Sequence, residues 1–428
     1  MITVFKDALI VTQNQNRDIV KGDLAVDGER IIQVGSTYNG TGDREINCAG
    51  DILIPGMIDT HSHIAMTVMK GVVDDLSFPD FLNKTFTIDA DRTDKDLSVG
   101  TKIGCMEMMA SATTTFVDLY YSEDVIAEAT KEMGLRGIHC WCCLDEDKTT
   151  QKGKPTDNAR RFINKYKDEK KVVAAVGLQG VYCCNEETCL EAKSIADEYD
   201  VPLNMHISET YGEVENHRKS TGMRPVEWLD SIGALSEHMS AAHCNWLTER
   251  EIRMFASNGV SVSSCPASNM KLASGVCPVP SYQNANVNVS LGTDGSTTNN
   301  TLDMIAEMRL LGLMQKINTM DPRVTPAQNL LDIVTINGAK AIGMSDELGS
   351  LEIGKYADVV VIDGKNPGIR PFVPENIIAN LAYSLTSSAV KTTMCQGDIV
   401  YQDRKVTTVD TDKILEQAED CWRSLCIR

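Results

Sequence analysis

"IPGMIDTHSHIAMTV", residues 54–68, places the first two histidines of the chain at the end of an apolar run. The run "DILIPGMID", 51–59, has the apolar, β-rich character of a buried strand. Side chains alternate faces along a strand, so His61 and His63 share one side while Ser62 points away. The chain has only seven histidines, and two of them stand here, one residue apart. Two imidazoles so placed can share one metal ion. They can equally be two hydrogen-bonded side chains in a polar turn, and the pair alone does not choose.

Downstream, short apolar segments alternate with helical ones. "TTTFVDLY", "RGIHCWCCL", "KVVAAVGLQG", "VPLNMHIS", "HMSAAHCN", "GVSVSSCP" and "VNVSLGTDG" read as strands; with 52–60 they make eight. "DVIAEATKEMG", "ETCLEAKSIADEYD" and "TEREIRMFASNG" read as intervening helices. Eight strands alternating with helices predict a (β/α)8, TIM-like barrel over 56–345. The segments 1–55 and 346–428 share a different texture of short β runs and turns, as in "KGDLAVDGERIIQVGS" and "GSLEIGKYADVVVIDGK". They are expected to pair into one small β-sandwich, with a last helix, "TDKILEQAEDCWRSL", docked on the surface.

The barrel collects the polar residues. His61 and His63 end strand 1, His206 strand 5, His243 strand 6 and Asp294 strand 8. The C-terminal strand ends of such a barrel converge on one face, where active sites sit. Three imidazoles and a carboxylate suit Zn2+ with an open position for water, and Fe2+ or Mn2+ accept the same set. Glu209, three residues after His206, can lean over such an ion and move protons without binding it. His139, His217 and His238 lie away from strand ends and read as structural or solvated. Cys140 and Cys143 have a CxxC spacing, but on a strand i and i+3 face opposite sides, so they read as buried thiols.

The 428 residues suffice for a barrel plus an accessory unit. A net charge of −19 without a basic run argues against nucleic acid and anionic membrane partners. The N-terminus lacks a signal-peptide pattern and no apolar run reaches the roughly 20 residues of a spanning helix. A cytoplasmic protein acting on a small molecule is expected, with a homo-oligomer as the base-rate assembly.

"PGMIDTHSH", "HISET", "AAHCNWLTEREI", "SNMKLASGVCPVP" and "LGTDGSTTNN" together resemble the amidohydrolase superfamily. The likeness is to the branch holding the 5′-methylthioadenosine and S-adenosylhomocysteine deaminases and the chlorohydrolases, and it covers nearly the whole chain. It implies one divalent ion on His61, His63, His206 and Asp294, with no lysine in "VVAAVGLQG" to bridge a second. It also implies that Asp294 takes a proton from the attacking water. His243 would orient that water or the developing oxyanion, and Glu209 would protonate the ring nitrogen beside the attacked carbon. The product would be ammonia and an oxo-heterocycle. Chlorohydrolases of the branch tend to lack the HxxE glutamate, so Glu209 favours deamination.

The chain departs from the branch in its substrate contacts. Asp89 stands where a glutamate holds the ribose, Trp141 where an arginine follows strand 3, and Gln179 where a histidine completes "GPH". Cys265 replaces the asparagine of "NPxSN". Asp89, Trp141, Gln179, Glu209 and His243 are therefore the expected substrate-binding set, for a purine-, adenosine- or pterin-type amine. Hydrolysis of a ring C–Cl, C–N(alkyl) or cyclic amide bond on the same metal is the rival reading, and a non-catalytic scaffold is the third.

Overall fold

The computed structural model describes residues 1–427, with side chains to 425. Eight parallel strands form the barrel in chain order. They are Met57–His63, Thr113–Tyr120, Arg136–Cys143, Val172–Leu178, Leu203–Ile207, Met239–His243, Ser261–Ser264 and a broken eighth, Val289–Leu291 then Asp294–Gly295. The first piece of the eighth strand pairs with the seventh, and the second piece pairs with Ser62 and His63 of the first. The break closes the sheet, and it needs Gly292: a Cβ there would lie 2.8 Å from both the Cβ and the carbonyl oxygen of His61.

The expected helices form between strands, each for a local reason. Glu123–Met133 ends at Gly134, whose φ of 87° closes the C-terminus. Glu249–Asn258 starts at Thr248, which forms a capping box with Glu251.

The terminal segments form a nine-stranded sheet, in which Ile52–Pro55 pairs antiparallel with Val359–Ile362. Period-2 alternation sorts its faces: Leu53, Val359 and Val361 join the sheet's own core. Ile52, Ile54, Val360 and Ile362 belong to the large core shared with the barrel helices. A buried ion pair ties sheet to barrel: Arg136 Nη1 donates to Asp358 Oδ2 at 2.5 Å and Arg136 Nη2 to Gln396 Oε1 at 2.9 Å. The 346–428 segment is not all sheet, because its helix Ile377–Tyr383 places Ile377 and Leu381 in the barrel-side core. The last helix, Thr411–Ile427, docks as expected: Cys421 and Leu425 pack with Val68, Met69 and Val99. Among the described residues no helix is long and apolar enough to cross a membrane. The thirteen described cysteines are free, and Cys140 and Cys143 fall in different core clusters, on opposite faces of their strand.

Candidate active site

His61, His63, His206 and Asp294 bring one ligand atom each within 4.8 Å of one another, all buried. His63 Nε2 lies 3.2 Å from His206 Nε2 and 3.3 Å from Asp294 Oδ1, and His61 Nε2 lies 3.7 Å from the same oxygen. The opposite ring nitrogens are all engaged. His61 Nδ1 meets Asn204 Oδ1 at 2.8 Å, His63 Nδ1 the Leu119 carbonyl at 2.6 Å and His206 Nδ1 the Gln179 carbonyl at 2.7 Å. Each Nδ1–H donates, so each Nε2 presents a lone pair to the centre.

The electrostatics fit a cation there. Burial, then the neighbouring imidazoles, hold His61 well below its usual range and His206 down at about 3, so both are neutral. Burial also lowers His63, but the Asp294 carboxylate outweighs it and the net shift is upward. Burial would raise Asp294; His63, His243 and His61 overcome it and hold the carboxyl well below the usual range. His61 Nε2 is buried with no hydrogen-bond partner. Such an orphan costs about 1–3 kcal/mol, and a divalent ion among these four residues supplies the missing partner. Three imidazoles and one carboxylate form a donor set suited to zinc.

Glu209 and His243 sit over this cluster. His243 Nε2 is 3.8 Å from Glu209 Oε2 and 4.0 Å from Asp294 Oδ2, and its Nδ1 donates to Asn269 Oδ1 at 3.0 Å. Burial raises the Glu209 carboxyl against the pull of His243. Asp294 Oδ2 accepts from Ser268 Oγ at 2.5 Å and Thr298 Oγ1 at 2.9 Å. The Cys265 thiol is buried beside His61 and His243, within 4.8 Å of their ring nitrogens.

A cavity of about 400 Å³ opens from the cluster. Its wall is largely apolar and aromatic: Phe81, Phe86, Leu119, Tyr120, Tyr121 and Tyr182 all face it. Among the described residues, Lys148 is the only lysine or arginine on the wall. Of the residues expected to bind substrate, Asp89, Gln179, Glu209 and His243 line this cavity. Asp89 is clamped: its Oδ1 accepts from Arg92 Nη1 at 3.0 Å and from the Tyr120 hydroxyl. Gln179 donates to the Tyr182 hydroxyl at 3.0 Å and accepts from the Cys142 thiol at 3.4 Å.

Trp141 corrects the expectation. It does not line the cavity; its ring packs on Phe162 at 5.6 Å between centroids, and its indole N–H donates to Gln151 Oε1 at 2.8 Å. Cys140 and Cys142 share the inward face of this strand, and Trp141 has the opposite parity. Cys142 and Gln151 line the wall instead. The three remaining histidines stay outside the site. His139 donates to Glu123 at 3.0 Å, forming a buried group with Asp118; His217 donates to the Met223 carbonyl at 3.0 Å; His238 lies 3.8 Å from Asp200. Asn204, Asn245, Asn269, Ser268 and Thr298, which support the site, carried no role in the sequence reading, although "SNMK" was visible there.

Known proteins agree with this geometry. The sequence profile of the Amidohydrolase family matches residues 52–400. A 5′-deoxyadenosine deaminase of Methanothermobacter thermautotrophicus is 37% identical, the match covering 94% of each chain. A 5-methylthioadenosine/S-adenosylhomocysteine deaminase of Thermococcus onnurineus is 36% identical over 92% of this chain and 93% of its own. An adenosine deaminase from Xanthomonas campestris, solved with bound zinc, superimposes with a TM-score of 0.95 at 28% identity, covering 99% of this chain and 98% of that one. An atrazine chlorohydrolase from Arthrobacter aurescens TC1 shares the fold, with a TM-score of 0.89 at 21% identity over 98% of this chain and 100% of that one. With the profile spanning most of its length, this chain belongs to the amidohydrolase family, as a hydrolase of C–N bonds that carries a His/Asp cluster able to hold a divalent metal.

Proposed function

We propose that this enzyme deaminates an adenosine derivative with an uncharged, apolar 5′ end, of which 5′-deoxyadenosine is the simplest, using one Zn2+. The observation that carries the reading is Glu209 beside His243, 3.8 Å apart above the His/Asp cluster, at the floor of an aromatic cavity lined by no arginine among the described residues. His61, His63, His206 and Asp294 are the residues to hold the ion. When bound, the ion acts as a Lewis acid and makes water a stronger acid at neutral pH.

The chain's own groups handle the protons. Water attacks the carbon bearing the amine and gives one proton to Asp294. Glu209, whose burial favours the protonated carboxyl, donates its proton to the adjacent ring nitrogen. His243, its tautomer fixed by Asn269, donates from Nε2 when protonated or accepts there when neutral, and so orients the oxygen. The C–N bond breaks as the amine takes the proton held by Asp294 and leaves as ammonia. The hydroxyl proton returns to Glu209, and the ring keeps its N–H and gains C=O.

The far wall selects the substrate. Asp89, held on one oxygen by Arg92 and Tyr120, offers its other oxygen to ribose hydroxyls. The aromatic wall favours an apolar 5′ substituent over a zwitterionic tail. The buried free thiols fit a reducing cytoplasm. Dechlorination on the same metal is the second reading, and Glu209 weighs against it, because chloride leaves without a proton while an amine does not. Ammonia release by the zinc-loaded enzyme from 5′-deoxyadenosine, adenosine, S-adenosylhomocysteine, free adenine and a pterin tests the proposal. Chloride release from a chlorotriazine without ammonia from any amine would overturn it.

A further inference from the structure

We infer that Glu213 is a positioning residue that aims Glu209 through the main chain. The inference rests on the deaminase reading, in which Glu209 carries the proton.

Strand five ends at Ile207, and the chain then turns at Ser208 with a φ of 51°. A non-glycine residue with that φ is uncommon and needs support from its surroundings. This turn carries Glu209 into the cavity. Both peptide N–H groups of the turn find the same acceptor: Ser208 N–H donates to Glu213 Oε1 at 3.0 Å and Glu209 N–H to Glu213 Oε2 at 2.8 Å. On the other side, the Glu209 carbonyl accepts from Asn245 Nδ2 at 2.9 Å. The peptide groups flanking Glu209 are thus held from both faces.

The arrangement departs from ordinary helix capping. Thr210 caps the helix Tyr211–Thr221 by accepting from Glu213 N–H at 3.0 Å, which makes Glu213 the third helical residue. In a capping box that residue's carboxylate returns to the cap residue's own N–H. Glu213 passes it and reaches the two residues before. Its carboxylate therefore serves the turn: the two peptide N–H groups favour its charge, while burial and then the nearby Glu209 push its carboxyl up to about 7.

Asn245 extends the frame to the second proton-handling group. It donates to Asn269 Oδ1 at 3.1 Å and accepts from Asn269 Nδ2 at 2.8 Å, and Asn269 fixes His243. Glu209 and His243 are thereby held in one hydrogen-bonded frame, with Glu213 supplying the Glu209 end.

The test is a double-mutant cycle on zinc-loaded protein, reading ammonia release from 5′-deoxyadenosine. Glu213→Gln keeps the size but puts an NH2 against a peptide N–H. We expect kcat to fall at least about tenfold, with KM and bound zinc unchanged. In a Glu209→Gln background the same change should cost nothing further, because a residue acting only through Glu209 has nothing left to act on. Glu213→Asp, which keeps the charge but withdraws it by one carbon, should show a smaller loss of the same kind. Additive losses in the double variant, or an unchanged kcat in Glu213→Gln, would overturn the inference. A crystal structure of zinc-loaded Glu213→Gln reads it without activity: Glu209 should leave its approach to His243. If the unmodified enzyme releases no ammonia, the deaminase reading fails on its own, and an unmoved Glu209 in that crystal structure would still refute positioning.

Discussion

His63 and His206, 143 residues apart in sequence, hold their Nε2 atoms 3.2 Å apart while each spends its Nδ1 on a main-chain carbonyl. With Nδ1 so spent, a neutral ring presents only a lone pair at Nε2, and the Asp294 carboxylate draws positive charge toward His63. The approach is stable with a cation between them.

Removing that cation should therefore be costly. Chelation is expected to abolish ammonia release and lower Tm by roughly 5 °C or more, because an ion at about 1,000 times its Kd stabilises by about 4 kcal/mol. Reconstitution should restore one ion per chain. His61→Ala and His206→Ala should each lose metal and activity together. Elemental analysis giving two tightly bound ions per chain would sink the single-ion site.

Glu209→Gln should keep its zinc and lose deamination, by about 100- to 10,000-fold in kcat. The amide fills the same space but cannot give and recover a proton. Steady-state ammonia release and metal content, measured on the same sample, decide. Turnover equal to that of the unmodified enzyme would remove Glu209 from the proton path.

The grouping of His61, His63, His206 and Asp294 was legible in the sequence because each stands at or near a strand end, and a barrel gathers strand ends. Trp141 was misplaced for a physical reason. All eight residues of Arg136–Cys143 are buried, some against the barrel interior and some against helices. A strand covered on both faces shows no polar alternation, so its inward parity cannot be read from composition. Glu213, Asn245 and Asn269 were illegible for another reason: they act on main-chain atoms or on each other across separate elements. The clamp of Arg92 and Tyr120 on Asp89 was also invisible, since it depends on how the helix Phe78–Ala90 packs against strand two.

His243→Ala should retain zinc, since its Nε2 stands 4.0 Å from Asp294 Oδ2 and outside the ligand quartet. Activity should fall by about 100-fold or more. Loss of metal in this variant would place His243 in the coordination sphere and require a different ligand assignment.

Gly292→Ala tests the closure of the barrel. The added methyl would meet His61 Cβ and carbonyl oxygen at 2.8 Å, with Ser263 Oγ equally close. Overpacking of this kind costs about 1–3 kcal/mol. Because the displaced residue belongs to the proposed metal site, zinc affinity should fall along with Tm. A variant with native Tm and metal content would show that the break in strand eight tolerates a side chain.

The substrate is the sharpest test of the far wall. In the proposed mechanism the metal cluster, Glu209 and His243 act on a C–NH2 group in any flat heterocycle, so they do not choose among substrates. The choice falls to Asp89 and the aromatic lining. S-adenosylhomocysteine carries an ammonium and a carboxylate at its far end. Among the described residues the wall offers Lys148 as its only lysine or arginine, already 3.3 Å from Asp147, and otherwise mostly apolar surface near the ring site. Desolvating a zwitterion there without paired partners is unfavourable, whereas the methyl of 5′-deoxyadenosine gains from burial. We therefore expect kcat/KM to be at least about tenfold higher for 5′-deoxyadenosine than for S-adenosylhomocysteine. Asp89→Asn should lower kcat/KM for ribosides about 10- to 100-fold, since hydrogen bonds to a charged acceptor are worth about 1.5–3 kcal/mol. The same change should leave turnover of free adenine, where measurable, unaltered. A preference for S-adenosylhomocysteine would mean that its tail finds charged partners beyond this wall. An equal loss on riboside and free base would mean that Asp89 supports the pocket without touching the sugar.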